Sequence, residues 1–408
     1  MKSPQLKNSA IVLGTDVNGI AVIRSLGRLG VRCGAIFSPT RGDHATRSRY
    51  LTFVQEVSHD STDETISSAI LGVANRIGDG PSVLIPTTDR FSAYLSRNRE
   101  VLAKDLILCC SNIELYDAFL DKWKTAQLCN ANGILIPRTA CPQSAVELAT
   151  VVNNISYPVV VKPRYTFGSR FPGKNAVFTD ARSMQNFFDE TDVLGHCVIQ
   201  QIIPSGDGDI LVVAGYSGSN GTVEAIYSGR KLRQYLPDYG ATCFGISEHH
   251  PELEALSRNF LDNIHYQGFS ALEFARSRKD GKNYFLELNT RTYYHNQLFA
   301  DAGKDLTQIA YLSATGHDVV ALHAAMKQRD GLIWLDFRRD FKSMRIKRRQ
   351  RRITILRWMQ SIIKARSFAY WDLHDPLPFA YACLWRSKEL VLNLLSRLSS
   401  NKSDLFRP

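Results

Sequence analysis

Three polar side chains at alternate positions near residue 290 could act together on one ligand. Glu287, Asn289 and Arg291 lie in the stretch YFLELNTR, residues 284–291, within an apolar run that is typical of a β-strand. Alternate residues of a strand point to the same face of its sheet. The spacing therefore predicts a carboxylate, an amide and a guanidinium that project from one face.

A second carboxylate precedes this strand in what the sequence predicts to be a hairpin, FSALEFARSRKDGKNYFLELN, with its turn at Asp280-Gly281. A three-residue loop over 279–281 would pair Glu273 with Glu287 and would hold Gly281 in the left-handed conformation. A two-residue loop would shift the register by one residue and put the two carboxylates on opposite faces. In the three-residue register, the opposite, apolar face comprises Leu272, Phe274, Leu286 and Leu288.

Two facing carboxylates need a compensating cation, because like charges directly opposite each other destabilise a sheet. The oxygens of Glu273, Glu287 and Asn289, without sulfur or imidazole, suit Mg²⁺ or Mn²⁺, with waters and phosphate oxygens completing the shell. The alternative is that these residues are solvated on an exposed hairpin face, as charged side chains usually are.

The elements that must position these residues divide the chain into parts. Over the first 110 residues, four apolar strands alternate with helical stretches, beginning with AIVLGTDVNGIAVIRSLGRLG. This order predicts an α/β fold with a parallel, doubly wound sheet. A second part begins near Leu115, and its most distinctive strand is YPVVVKP, residues 157–163.

Composition and charge limit the class of protein. The 408 residues predict two or three domains, and eight cysteines without a CxxC pair indicate reduced thiols in a cytoplasmic protein. Residues 338–366 contain twelve Lys and Arg against one Asp, which equals the whole net charge of +11. This basic segment fits a solvated helix packed on its domain or peripheral contact with the inner membrane surface, and it fits nucleic acid least well. We expect no membrane-spanning helix and no signal peptide.

The pair ALEF (271–274) and FLELNTR (285–291) resembles the metal site of the ATP-grasp superfamily. The likeness is greatest to the predicted ATP-dependent carboligases, a group of carboxylate–amine ligases that includes D-aspartate ligase, and it extends to about Gly316. It implies a Rossmann-like pre-ATP-grasp domain at 1–114, a two-subdomain α+β ATP-grasp fold at 115–325 and a basic helical extension at 326–408. It also implies an enzyme that joins a carboxylate to an amine through an acyl-phosphate, consuming ATP.

The resemblance assigns roles to the residues of the hairpin. Glu273, Glu287 and Asn289 would bind Mg²⁺, and Arg291 would contact the transferred phosphate or the acyl-phosphate. Phosphoryl transfer mainly needs positioning and charge neutralisation, which fits these residue types. A basic residue of the strand SGRKLRQ would meet phosphate or the substrate carboxylate. We favour Lys231, with Arg230 and Arg233 as rivals.

The nucleotide would be held by residues nearer the start of the second part. Lys122, with Lys124 as its rival, and Lys162 would reach the phosphates. The loop that contains Gly168 and Ser169 would cover them with backbone N–H groups. The remaining contacts lie in VIQQIIPSGDGD: adenine at Gln201 and Ile203, and ribose at Asp207 or, less favoured, Asp209.

Two further expectations concern the first domain and the alternatives. GTDVNG (14–19) departs from G-x-G-x-x-G, so we expect it to shape the substrate side rather than bind a dinucleotide. Asp89, just past a strand's carboxyl end, is a substrate-site candidate. A nucleotide-binding relative with a regulatory role, a membrane- or nucleic-acid-binding protein, and a homodimer remain open.

Overall fold

The architecture comes from a computed structural model, which describes residues 6–39, 43–78, 80–165, 171–173, 175–238 and 240–384. It contains three sheets of five, four and seven strands. The α/β class predicted from the alternation of strands and helices is confirmed.

The N-terminal sheet is parallel throughout, with strand order β3-β2-β1-β4-β5. Its elements and the helices around it are β1 (Ala10–Leu13), α1 (Val17–Arg28), β2 (Cys33–Phe37), β3 (Leu51–Glu56), α2 (Asp63–Ile77), β4 (Val83–Pro86), α3 (Asp89–Arg97), α4 (Arg99–Leu102), β5 (Ile107–Leu108) and α5 (Ile113–Leu120). Alternate residues of β1 enter two separate apolar clusters, one that includes α1 and one that includes α2 and α3. This two-sided burial is the physical reason for its continuous apolar sequence.

The sequence predicts four of these five strands and does not predict β3. That strand lies at the edge of the sheet, and its residues are half-buried or exposed. An edge strand covered on fewer sides has a weaker apolar pattern, which explains the omission.

A four-stranded antiparallel sheet, ordered β6-β9-β7-β8, follows in the chain. Its elements are α6 (Lys122–Ala131), β6 (Thr139–Ala140), α7 (Ala145–Asn154), β7 (Val159–Pro163), β8 (Ala176–Phe178), α8 (Ala181–Glu190) and β9 (Cys197–Gln201). One face of this sheet packs on α7 and α8. The strand predicted at YPVVVKP is β7.

The largest sheet has seven strands in the order β14-β13-β10-β11-β12-β15-β16, antiparallel except for its last pair. Its elements are β10 (Ile210–Ser217), β11 (Val223–Tyr235), β12 (Ala241–Ser247), α9 (Pro251–Asn263), β13 (Gly268–Arg276), β14 (Asn283–Asn289), α10 (Asn296–Asp301), α11 (Leu306–Ala314), α12 (Val320–Ala325), β15 (Ile333–Leu335), α13 (Phe337–Arg349), α14 (Ile355–Ile362) and β16 (Ser367–Phe368). Strands from the segment 326–408 thus complete the sheet that begins in 115–325.

The hairpin of β13 and β14 pairs Glu273 directly with Glu287, as predicted, but by a different route. Near the turn, the register pairs Phe274 with Phe285, and it shifts by one residue before Glu273. The loop therefore has four residues between Ser277 and Lys282 instead of three. A β-bulge restores the predicted pairing, and Gly281 has the expected positive φ of 71°.

The bulge also changes which apolar residue faces the core. Phe285, and not Leu286 as predicted, packs in the cluster that contains Leu272, Phe274 and Leu288. Leu286 instead lies with Ile203, Ile210 and Ala275 beside the connection between the two antiparallel sheets. The extra residue on β14 is the cause, because it reverses the alternation on one side of the bulge.

The C-terminal segment is tied to both other parts of the fold by buried ion pairs. Arg24 of α1 forms a fully buried pair with Asp375, with Nε and Oδ2 3.0 Å apart. Arg233 of β11 contacts Asp340 of α13 at 2.7 Å. No helix within the described ranges is long and apolar enough to cross a bilayer.

Replacing Arg24 with Ala should destabilise the protein by about 3–5 kcal/mol, because Asp375 would remain buried without its cation. The measurement is the urea unfolding midpoint of the full chain. Arg97→Ala is the matched control: its pair with Asp63 is solvent-exposed and should contribute less than about 1 kcal/mol. Equal effects of the two substitutions would contradict the structural role of the buried pair.

Candidate active site

The two facing glutamates lie in different environments although they are cross-strand neighbours. Glu273 is buried: Lys231 Nζ lies 2.6 Å from its Oε2, and the Tyr293 hydroxyl donates to its Oε1 at 2.5 Å. The Glu287 side chain opens to solvent in the cleft. One carboxylate is thus held by protein donors, and the other remains accessible to a ligand.

Electrostatic repulsion dominates the properties of Glu287. Its pKa is raised above the usual value, first by the charge of Glu273 and then by the surrounding protein atoms, which displace part of its water although the side chain reaches solvent; Lys231 and Lys162 act in the opposite direction. The lysines therefore do not fully compensate the two negative charges. A site of this kind favours a bound cation.

Asn289 and Arg291 extend the polar face from Glu287 towards the N-terminal sheet. The Asn289 amide nitrogen is 3.4 Å from Glu287 Oε1, and Arg291 Nη2 donates to Asn289 Oδ1 at 3.2 Å. Arg291 Nε also lies 2.7 Å from an oxygen of Asp89, the first residue of α3. The face predicted from alternate positions is therefore continuous in space and reaches the first domain.

The oxygen atoms in this cluster fit a magnesium or manganese ion. Glu287, Glu273 and Asn289 offer only oxygen ligands, which hard divalent cations prefer. The uncompensated charge at Glu287 is the structural feature that argues for an ion there. Among the described residues, no group of three or more His, Cys, Asp or Glu side chains could bind a metal, and the amide of Asn289 would be the third ligand of the predicted set.

Two lysines from the smaller sheet and its flanking helix face these carboxylates. The pKa of Lys122 is lowered by burial and by the charge of Lys162, and Glu287 acts in the opposite direction. Lys162 Nζ donates to Gln200 Oε1 at 3.0 Å, and its charge lowers the pKa of Glu287. Lys124, the rival of Lys122, is exposed. Lys122 is therefore the residue of this pair that belongs to the cluster.

Local structure explains why the two lysines converge. Asp121 caps α6 by accepting from the backbone of Trp123, and it also forms a 2.7 Å ion pair with Arg164. Arg164 directly follows β7, the strand that carries Lys162. The pair therefore fixes the start of α6 beside the end of β7, and Lys122 beside Lys162.

The basic strand β11 contributes one residue to the cluster. Lys231 contacts Glu273, whereas Arg230 pairs with Glu248 at 2.6 Å and Arg233 pairs with Asp340. The three basic residues thus have separate acidic partners. Of the three rivals, Lys231 is the one next to the facing glutamates.

The predicted adenine and ribose residues lie in the connection from β9 to β10. Gln201 ends β9, and the buried Ile203 forms an apolar cluster with Tyr284 and Leu286 among its members. Asp207 is paired with Lys347 of α13, and its rival Asp209 lies 2.6 Å from Arg278. Gly168 and Ser169 lie outside the described residues. The assignments of these five residues, Gln201, Ile203, Asp207, Gly168 and Ser169, to the nucleotide stay predictions.

Sequence reasoning missed two members of the cluster. Tyr293 continues the alternation of Glu287, Asn289 and Arg291 by one step, so its position carried a signal that was available. Asp16, the N-cap of α1, gave no such signal. Burial raises its pKa, and the charges of Arg291 and of Arg339 on α13 lower it.

Comparisons with known proteins point to the same fold. No family model matches the chain. A D-aspartate ligase of Enterococcus faecium (strain Aus0004) is 20% identical over 304 residues, covering 69% of this chain and 70% of that protein. The structure of biotin carboxylase from Campylobacter jejuni, in a complex with β,γ-ATP, has a TM-score of 0.60 at 17% identity and covers 78% of this chain and 73% of that one.

A third relative is N5-carboxyaminoimidazole synthetase from Staphylococcus aureus, solved with ADP. Its TM-score is 0.57 at 14% identity, covering 77% of this chain and 79% of that chain. The matched structures share a parallel first sheet followed by antiparallel sheets. With the paired glutamate strands, these likenesses lead to one conclusion: the chain has the fold of the ATP-grasp enzymes that it matches over about 78% of its length.

Proposed function

We propose that this protein is an ATP-dependent carboxylate–amine ligase. ATP would phosphorylate a substrate carboxylate, and an amine would displace phosphate from the acyl-phosphate, giving an amide, ADP and inorganic phosphate. The observation that carries the proposal is the facing pair Glu273 and Glu287, with Lys231 bound to Glu273 and with Lys122 and Lys162 close enough for their charges to act on Glu287. The distant likeness to D-aspartate ligase supports the choice of an amine as acceptor.

A divalent cation is part of this proposal. Glu287, Glu273 and Asn289 would hold Mg²⁺ or Mn²⁺, which would neutralise the charge of the ATP phosphates. Lys231 and Tyr293 each bind one oxygen of Glu273 and so fix the orientation of its carboxylate, whereas the Glu287 side chain is exposed. Such positioning needs no reorganisation when the nucleotide arrives.

The basic side chains would bind different phosphate groups. Lys122 and Lys162, on the smaller sheet's side, would bind the nucleotide phosphates. Arg291 would stabilise the charge of the transferred phosphate or of the acyl-phosphate. Its ion pair with Asp89 holds the guanidinium at the boundary with the first domain, where the carboxyl ends of β1 and β4 meet. Ligands of open α/β sheets bind at this edge, so we assign the carboxylate and amine substrates to this side.

The adenosine would bind at the connection between the antiparallel sheets. Backbone groups around Gln201 and Ile203 would bind adenine against the apolar cluster of Ile203, Tyr284 and Leu286. Asp207 would accept from the ribose hydroxyls, and the loop with Gly168 and Ser169 would cover the phosphates. A cytoplasmic location is also part of the proposal, since ATP is abundant there and seven of the eight cysteines are buried free thiols.

A carboxylase is the second candidate, because two of the three relatives described above are named for carboxylation or carboxyamino chemistry. ATP would then phosphorylate bicarbonate at the same site, in place of an organic carboxylate. A regulatory relative that binds nucleotide without turnover is the third. Screening carboxylate and amine pairs, with bicarbonate as a separate arm, for ADP release distinguishes the three.

Purified protein with Mg²⁺ should bind ATP, and Glu287→Ala should lower turnover by about 100-fold or more while the fold persists. Binding is measured as a thermal shift of the wild type, and turnover as ADP release with the substrate pair found in the screen. Glu252→Ala, on the exposed side of α9, is the matched control and should behave like the wild type. A wild type without any nucleotide-dependent thermal shift would overturn the proposal.

Cation affinity should fall as the pH is lowered, because the facing carboxylates take up protons. Since the pKa of Glu287 is raised, its proton returns at a pH above the value of about 4.3 that is usual for glutamate, and a proton there competes with the cation. Calorimetric titration with Mn²⁺ at decreasing pH should show weakening binding and proton release on binding. An affinity that stays constant down to the usual glutamate range would contradict the shared site.

The variant Glu287→Gln separates binding from stability. It should lose cation affinity and its pH dependence, yet its urea midpoint without metal should equal or exceed that of the wild type at neutral pH. The sign follows from the raised pKa, because ionised Glu287 opposes Glu273 in the folded state above the usual glutamate range. A lower midpoint would mean that Glu287 has a structural role instead.

A further inference from the structure

Helix α14 exposes a set of large apolar side chains on the surface of the protein. Ile355 is 42% exposed, Leu356 66%, Met359 54% and Ile363 75%. At the period of an α-helix these four positions fall within an arc of about 100°. We call these four residues the apolar arc. Contiguous exposed apolar side chains of this kind mark interaction sites.

The helix is fixed to the body by other residues, so the apolar arc does not turn inwards. Trp358 is buried, and its indole N–H donates to Asp340 at 2.7 Å. Arg233, which also binds Asp340, donates to the Ser361 hydroxyl at 2.9 Å. The face with Trp358 and Ser361 thus packs on α13 and on Arg233 of β11, and the neighbouring face is presented to the outside. The simple alternative, a helix that buries its apolar side on its own domain, does not fit these exposures.

The chain segment that contains the apolar arc carries positive charge only. No Asp or Glu occurs in residues 341–371. Lys347 and Arg352 in this segment pair with Asp207 and Asp238 of the body. The other exposed basic side chains of this segment are Lys342, Arg345, Arg348, Arg349, Arg351, Arg357, Lys364 and Arg366.

We propose that α14 and the basic residues around it form a docking surface for an anionic lipid bilayer. A helix that lies in the plane of an interface inserts its apolar side chains among the acyl chains and places its cations at the lipid headgroups. An anionic bilayer thus satisfies both the apolar arc and the excess positive charge. This surface adds to the catalytic proposal and does not depend on it.

A nucleic acid and a second copy of this chain each match only one of the two features of the surface, its charge or its apolar side chains. A nucleic acid would use the cations but would leave the exposed aliphatic side chains in water. A second copy could cover the apolar arc but would bring two positively charged surfaces together. The lipid bilayer is the partner whose chemistry matches both.

The test is sedimentation of the full chain with vesicles. The protein should bind vesicles of phosphatidylcholine with about 30% phosphatidylglycerol and should bind pure phosphatidylcholine at least about fivefold less. Raising the salt concentration from about 0.1 to about 0.5 M should weaken binding, because screening shortens the range of the charges. Equal binding to both kinds of vesicle, or to neither, would overturn the proposal.

Paired variants separate the apolar from the charged contribution. The double variant Leu356→Ser/Ile363→Ser should lower binding to the anionic vesicles by at least about fivefold at an unchanged melting temperature. Its matched control is Val101→Ser/Val146→Ser, which changes exposed valines elsewhere. Arg348→Glu/Arg349→Glu should also lower binding.

The charge control is Lys104→Glu/Arg182→Glu, at exposed positions elsewhere, which should bind like the wild type. Two outcomes would assign the surface to another partner and overturn the lipid proposal. In the first, the serine variant binds vesicles like the wild type, while duplex DNA competes for the protein. In the second, the wild type is a dimer and the serine variant a monomer in sedimentation velocity without lipid, and the wild type does not bind vesicles.

Discussion

The repulsion between Glu273 and Glu287 is the constraint on which the arrangement of the site depends. Two carboxylates directly opposite on neighbouring strands oppose folding unless positive charge lies nearby. Lys231 and Tyr293 stabilise one of them, and the raised pKa of Glu287 indicates that the other keeps an excess of negative charge. That excess is a feature a sheet would avoid unless a ligand supplied the missing cation.

The register that produces this repulsion depends on one extra residue. The sequence predicts the pairing of Glu273 with Glu287 from a three-residue loop, and the pairing is confirmed although the loop has four residues. The bulge that reconciles the two depends on packing far from the turn: Phe285 enters one apolar cluster, and Leu286 enters another beside Ile203. Turn chemistry is local, and therefore could not show this compensation.

Periodic and local features were predictable, and contacts between distant segments were not. The parallel first sheet follows from apolar strands that alternate with helices, and the polar face of Glu287, Asn289 and Arg291 follows from strand alternation. Arg24 belongs to a helix in the first domain, and nothing near it in sequence indicates Asp375, 351 residues away. The partner of Asp207 is 140 residues away. Each such pair is specified by the tertiary fold, so composition and motif spacing carry no signal for it.

The basic segment illustrates how one sequence feature can divide into two structural roles. As composition, it is a single run that equals the net charge of the chain. In the structure, Asp340 of α13, its one acidic residue, binds Arg233 of β11 and Trp358 and thereby fixes α14 to α13. Lys347, also of α13, reaches Asp207 in the predicted nucleotide connection. The exposed cations remain on the outside with the apolar arc. Since Lys347 binds α13 to the connection and Asp340 binds α14 to α13, the docking surface has a fixed position relative to the proposed active site.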